Sequence, residues 1–186
     1  MRILGISGSL RAASYNTALL RAAVSLAPEG MTIEVYDRLR DIPPYDQDLD
    51  TGSLPEPVAD LRRRIVAADG LLIATPEYNY GVPGVLKNAI DWASRPAGRS
   101  SLTRKPTAVM GAAPGAFGSV RAQLSLRQSF LWTDSDVVTK PEVMVFQAAG
   151  RFDADANLVD EGARELVRGL LVALAGKIRE PRPVGV

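Results

Sequence analysis

The chain has no cysteine and no histidine among its 186 residues. Without cysteine there is no disulfide, no thiolate nucleophile and no cysteine-bound metal. Without histidine the commonest general base and the commonest metal ligand are missing, and every Ser-His or Cys-His arrangement goes with them. Long apolar runs are absent too: none approaches the roughly 20 residues that span a bilayer. The opening MRILGIS carries too short an apolar stretch for a secretory leader, so the protein is expected in the cytoplasm. Charge of one sign is also not in excess. The formal net charge is +1, which argues against a broad basic field for nucleic acid or anionic lipid. The longest basic run, Arg62-Arg63-Arg64, is expected on the solvated face of a helix. If such a chain is an enzyme, a bound cofactor is the natural source of its chemistry.

What is present is an alternation of short apolar runs and helical patterns. Arg2 to Ser7 is strand-like, and Asn16 to Ala27 places Leu20, Ala23, Val24 and Ala27 at helical spacing before Pro28-Glu29-Gly30 ends it. Met31 to Tyr36 alternates as a second strand. Asp37 to Pro57, rich in proline and aspartate, is expected to be a long irregular loop. Val58 to Ala68 is a helix, and Gly70 to Thr75 is apolar throughout, as a strand buried on both faces should be. A helix over Pro83 to Ala93, a buried strand over Pro106 to Ala112, a helix from Ser119 to Trp132 and a last strand over Val143 to Phe146 follow. Val159 to Ile178 keeps helical register to the end. Nothing marks a second domain, so residues 1–186 are expected to form one.

Strands alternating with helices predict right-handed βαβ crossovers, hence an α/β fold with helices on both faces of a parallel sheet. Five strands suggest the flavodoxin-like order 2-1-3-4-5. Such sheets bind ligands beyond the carboxyl ends of the strands, where the order reverses. Three loops matter on this reading: those after Ser7, Thr75 and Ala112.

In the first loop Gly8 is expected to allow a sharp turn. Ser9, Ser14, Asn16 and Thr17 then offer hydroxyl and amide groups where a helix begins, and Arg11 adds a fork of charged donors. Phosphate binding and simple N-capping by Ser14 or Asn16 both fit this pattern. The loop has no lysine for a Walker A motif and lacks G-x-G-x-x-G. Any phosphate is therefore held by hydroxyls and Arg11, as a monoester would be. The second loop, Pro76 to Gly81 (PEYNYG), offers turn residues, backbone amides and two tyrosine faces for a planar ring. An ordinary surface turn is the alternative. The third, Ala113 to Gly118 (APGAFG), is small enough for a flat ligand to approach its backbone, or is a tight strand-to-helix turn.

Taken together, GSLRAASYN at 8–16, PEYNYGVPGVLKNAIDW at 76–92 and the loop around APGAFG at 113–118 resemble the NADPH-dependent FMN reductase family, which includes quinone, chromate and azo reductases of flavodoxin-like fold. The resemblance runs from residue 1 to about residue 178. It implies that Ser9, Arg11, Ser14, Asn16 and Thr17 hold the FMN phosphate, and that Pro76, Glu77, Tyr78, Asn79 and Tyr80 line the isoalloxazine. Gly115 would approach the ring from the third loop, where Ala112, Ala113 and Pro114 depart from the family's usual serine and paired glycines. The family forms homodimers, some of which pair into tetramers, with flavin sites near the subunit interface.

The expected activity is that of an FMN-dependent NAD(P)H oxidoreductase. Hydride would pass from NADPH or NADH to flavin N5 and then to a quinone, azo, chromate or flavin acceptor, in two half-reactions. No protein acid, base or metal is required, and neither nucleic acid nor membrane is an expected partner. A non-enzymatic flavodoxin-type electron carrier is one alternative, although a net charge of +1 does not suit docking on basic partners. A phosphate- or nucleotide-binding regulatory module is the other. Arg11 and Arg38 are candidate neighbours of an NADPH 2′-phosphate. In the helix from Pro83 to Ala93, Val85, Leu86, Ala89, Ile90 and Trp92 occupy more than one side. One stripe is expected to face the core, and the rest, Trp92 included, a second copy of the chain.

Overall fold

In the computed structural model, which describes residues 1–50 and 52–180, the alternation is realised element by element. Strand β1 (Arg2–Ser7) is followed by α1 (Tyr15–Ser25), β2 (Thr32–Tyr36), α2 (Glu56–Ala67), β3 (Gly70–Ala74), α3 (Gly84–Ala93), β4 (Pro106–Ala112) and α4 (Val120–Trp132). Strands β5 (Asp136–Val137) and β6 (Val143–Val145) come next, then α5 (Glu161–Arg179). Asp160 caps α5, its side chain accepting from Ala163 N at 2.8 Å.

The sheet runs β2-β1-β3-β4, with every pairing parallel. Its fifth position is shared. β5 pairs with Pro106 and Thr107 at the start of β4, and β6 pairs with Met110 to Ala112 at its end. The expected order 2-1-3-4-5 therefore holds, but the last strand is split in two. Between its halves lies Pro141, which has no N–H to give to the ladder.

Side chains alternate across the sheet with period two. Leu72, Ala108 and Met110 point to one face, under Leu19 and Leu20 of α1 and Leu170, Leu171 and Leu174 of α5. Leu71, Ile73 and Val109 point to the other, under Leu61 of α2, Leu86 and Trp92 of α3, and Leu126 and Phe130 of α4. β3 and β4 are buried along their whole length. This two-sided burial is what made them read as unbroken apolar runs rather than alternating ones.

Three expectations are corrected here. Trp92 does not face outward. It is fully buried, its Nε1 donates to Pro43 O at 2.8 Å, and its ring meets Tyr45 edge-on at 4.9 Å. The run Arg62-Arg63-Arg64 is not a simple solvated face. Arg62 donates from Nε to Trp92 O and from Nη2 to Asp50, both at 2.9 Å, while Arg63 and Arg64 both pair with Asp60. The Asp60 side chain is only 2% exposed, and a buried carboxylate needs such partners. The long loop is partly ordered: short 3₁₀ turns form at Leu39–Asp41 and Gln47–Leu49, and Leu39 and Ile42 enter the core.

Candidate functional site

The carboxyl ends of β1, β3 and β4 lie side by side in the sheet, so the three loops that leave them meet above its edge. Gly8 serves this meeting by its size and not by a left-handed turn. Its N–H donates to Ala74 O at 2.8 Å, and an added Cβ would come to 2.8 Å of Leu86 Cδ2 and 3.3 Å of Pro76 Cδ. A side chain there would push the first loop away from the second.

Ser14 is the N-cap of α1, and its Oγ accepts from Asn16 N and Thr17 N at 3.2 and 3.3 Å. Thr17 Oγ1 lies 2.9 Å from Ser7 Oγ. The first turn of α1 contains no acidic residue, so nothing in it neutralises the positive end of the helix dipole. Arg11 is exposed, with its guanidinium 5.7 Å from the centroid of the Tyr15 ring. Asn16 differs from its neighbours. Its Nδ2 donates to Ala112 O and its Oδ1 accepts from Ala112 N, each at 2.9 Å. The residue is buried and clamps the start of α1 to the end of β4.

The second loop is a tight hairpin. Tyr78 N donates to Gly81 O at 3.1 Å and Gly81 N donates to Tyr78 O at 2.9 Å. Asn79 and Tyr80 between them have φ of +50° and +65°. Two left-handed residues in a two-residue loop are the signature of a type I′ turn, which asparagine tolerates and tyrosine adopts under strain. Tyr78 and Tyr80 are thereby held outward, 51% and 73% exposed. Tyr78 Oη reaches Ser9 Oγ at 3.5 Å and joins this loop to the first.

Glu77 turns the other way. Its Oε2 accepts from Arg121 N at 2.9 Å and Ala122 N at 3.4 Å, and its Oε1 accepts from Arg121 Nε at 2.5 Å. It supplies the N-cap that α4 lacks locally, since Ser119 makes no side-chain capping bond and the first turn of α4 has no acidic residue. The sequence places Ser119, a favoured capping residue, at this helix start, so only the structure shows that Glu77 does the capping.

In the third loop Ala113 N donates to Val145 O at 2.9 Å, and Gly115 O accepts from Gln147 N at 2.9 Å. No atom lies within 4 Å of where a Cβ on Gly115 would sit, so its backbone faces open space. Phe117 stands 59% exposed beside it. Arg38 does not join the site. Its Nη1 and Nη2 donate to the two oxygens of Glu56 at 3.0 and 2.7 Å, and its Nε to Asp41 at 3.3 Å. That guanidinium is committed, and the Glu56 carboxyl is held below the usual range mainly by its hydrogen bond from Arg38. A groove of about 510 Å³ lined by Arg2, Thr32, Glu34, Arg63 and Arg64 lies at the amino ends of β1 and β2, away from the three loops.

Among the described residues no group of histidine, cysteine, aspartate or glutamate is arranged to hold a metal ion. The site offers hydroxyls, the exposed Arg11 cation, a positive helix end, exposed aromatic rings and open backbone. Such a shelf suits a flat ligand carrying a phosphate tail.

Comparison with known proteins identifies the family. The family model described as NADPH-dependent FMN reductase matches residues 1–150. An NAD(P)H-dependent FMN reductase of Pseudomonas aeruginosa is 49% identical over 182 residues, covering 98% of this chain and 97% of that protein. A 2-hydroxy-1,4-benzoquinone reductase of Burkholderia is 40% identical over 182 residues, covering 98% of each. Among solved structures, the flavoenzyme NAD(P)H:(acceptor) oxidoreductase FerB of Paracoccus denitrificans superposes with a TM-score of 0.85 at 35% identity, over 95% of this chain and 96% of that one.

Proposed function

The chain belongs to the NADPH-dependent FMN reductase family, and from that footing we propose that it is an FMN-dependent oxidoreductase that passes electrons from NAD(P)H to quinones. The observation that carries the reading is the joining of two loops above the sheet. A hydroxyl-rich helix start with no acidic residue meets a hairpin that holds two tyrosines outward, through the Ser9–Tyr78 contact.

The residues present fit FMN. Arg11, Ser9, Ser14, Thr17 and the amino end of α1 form a donor set for a phosphate monoester. Pro76, Tyr78, Asn79, Tyr80 and the open backbone at Gly115 form the walls for a flat ring. Asn16 and Glu77 support these groups from behind, one by clamping α1 to β4 and the other by capping α4. Bound FMN supplies the two-electron chemistry that a chain without cysteine or histidine does not. The chain's own part is orientation: it fixes the phosphate end, sets the hairpin at one side of the ring and leaves the outward side open to a second planar molecule.

A homodimer belongs to the same proposal, but by a different face from the one the sequence suggested. Leu124, Leu131 and Trp132 of α4 are 52%, 81% and 89% exposed. Leu124 and Leu131 lie two turns apart on one side of the helix. Beside them, Lys87 and Asp91 of α3 and Ser125 and Gln128 of α4 line a groove of about 300 Å³. A second copy covering this strip would remove an apolar surface that water otherwise meets. No helix among the described residues is long and apolar enough to cross a membrane. We place the protein in the cytoplasm, where reduced nicotinamide is supplied.

The test is direct. Purified protein loaded with FMN should be yellow and should oxidise NADPH or NADH when 1,4-benzoquinone is added. A protein that leaves added FMN unbound in a fluorescence titration, or binds it without nicotinamide oxidation, refutes the proposal.

A further inference from the structure

Arg121 stands at the mouth of the site between the second and third loops. Its guanidinium carbon is 3.8 Å from the centroid of the Tyr80 ring and 4.5 Å from that of Phe117. Glu77 holds the Nε edge, so the guanidinium is fixed in direction. Among the described residues neither Nη1 nor Nη2 makes a hydrogen bond. The side chain is 32% exposed against 8% for Glu77, so the ion pair is buried on the Glu77 side and reaches solvent on the Arg121 side.

Pairing with Glu77 leaves the segments around the site with a formal charge of +1, two arginines against one glutamate. Glu77 is the one carboxylate in segments 7–17, 75–82 and 112–121, which also hold Arg11 and Arg121. That carboxylate is shared with two backbone N–H groups of α4. The positive ends of α1 and α4 add to the balance, since neither has an acidic residue in its first turn. The shelf is therefore electropositive where Arg121 reaches solvent.

Resting on the oxidoreductase reading above, we propose that Arg121 is a specificity-determining residue that selects planar anionic acceptors, such as ionised hydroxyquinones. The outer Nη1–Nη2 edge presents coplanar donors to a ring oxygen pair that carries negative charge. The exposed rings of Tyr80 and Phe117, which flank the guanidinium, offer apolar surface to the ring that bears it. Two apolar rings beside a fixed fork suit an aromatic anion better than the tetrahedral phosphate of NADPH.

Two measurements on the FMN-loaded protein test this. In equilibrium titrations, unmodified protein should bind the redox-inert 2-naphthoate roughly tenfold or more tighter than neutral 2-naphthamide. In kinetics, the ratio of kcat/KM for 2-hydroxy-1,4-naphthoquinone at neutral pH to that for 1,4-naphthoquinone should fall about tenfold or more in Arg121→Met. Arg121→Lys, which keeps the charge but loses the fork, should fall part of the way. The titration needs no variant, so it decides even if Arg121→Met folds poorly. Equal binding of the two probes, an unchanged kinetic ratio, or a loss confined to NADPH with NADH spared would overturn the proposal. The last outcome would give Arg121 to the 2′-phosphate instead. Absence of FMN binding or of any quinone reduction would instead count against the oxidoreductase reading.

Discussion

Glu77 caps the helix that Arg121 enters: one carboxylate oxygen accepts from Arg121 N at 2.9 Å and the other from Arg121 Nε at 2.5 Å. The pair bridges the loop after β3 and the start of α4, so a change in either residue moves both walls of the site. In the FMN-free protein, Glu77→Ala is expected to lower unfolding free energy by about 1–3 kcal/mol, the range for a lost cap and an orphaned buried donor. Glu77→Gln should lose less, because one acceptor oxygen remains. Urea denaturation checks both. If Glu77 acted only as a cofactor contact, neither variant would change the stability of the FMN-free protein.

Asn16 should be a stability residue more than a phosphate ligand. Asn16→Ala removes two buried hydrogen bonds and leaves both polar groups of Ala112 without that partner. A loss of roughly 2–4 kcal/mol is expected from two such groups. Denaturation midpoints measured with and without FMN should shift together. A shift seen only with FMN present would assign Asn16 to the cofactor.

Arg11 should behave in the opposite way. It makes no ion pair among the described residues and lies on an exposed loop. Arg11→Ala should leave the melting temperature of the FMN-free protein almost unchanged while weakening FMN binding about 10–150-fold, as expected for a charge-assisted contact worth roughly 1.5–3 kcal/mol. Fluorescence titration reads this out. Unchanged affinity would remove Arg11 from the phosphate site.

The two tryptophans should separate cleanly. Trp92→Ala should cost about 3–5 kcal/mol, since it empties a fully buried position and abandons the bond to Pro43. Trp132→Glu should leave unfolding free energy of the monomer nearly intact while shifting the molar mass found by light scattering from dimer to monomer. A monomeric unmodified protein, active and FMN-loaded, would contradict the proposed interface.

Stability should fall at both ends of the pH scale. Asp160 is held below the ordinary carboxyl value chiefly by the bond from Ala163 N, then by Arg151. A depressed carboxyl stabilises the fold above its unfolded value, and that share is lost as pH drops through the folded value. Melting temperature should therefore decline below about pH 4, and less steeply in Asp160→Asn. Tyr36 moves oppositely: burial, then the nearby Asp60, raises its phenol from 10.0 to about 12. Its stabilising share is present below pH 10 and lost as pH rises towards 12. In a spectrophotometric titration one of the five tyrosines should ionise well after the freely exposed ones. Ionisation of all five together would contradict the burial of Tyr36.

What the sequence by itself determined is whatever depends on neighbours in the chain. The unbroken runs Gly70 to Ala74 and Pro106 to Ala112 announced strands buried on both faces, and the spacing of Val167, Leu170, Leu171 and Leu174 announced α5. The loops that leave β1, β3 and β4 were legible because parallel strands place their carboxyl ends together. Only tertiary structure decided the rest. Trp92 and Trp132 both end apolar helices, and which one is buried depends on how each helix is rotated against the sheet. Asn16 meets Ala112 across 96 positions and Glu77 meets Arg121 across 44. No local pattern encodes partners so far apart in sequence. Periodicity acts through the few residues of a turn or strand, whereas a cap or clamp supplied from elsewhere exists only once the sheet has brought its two halves within hydrogen-bonding reach.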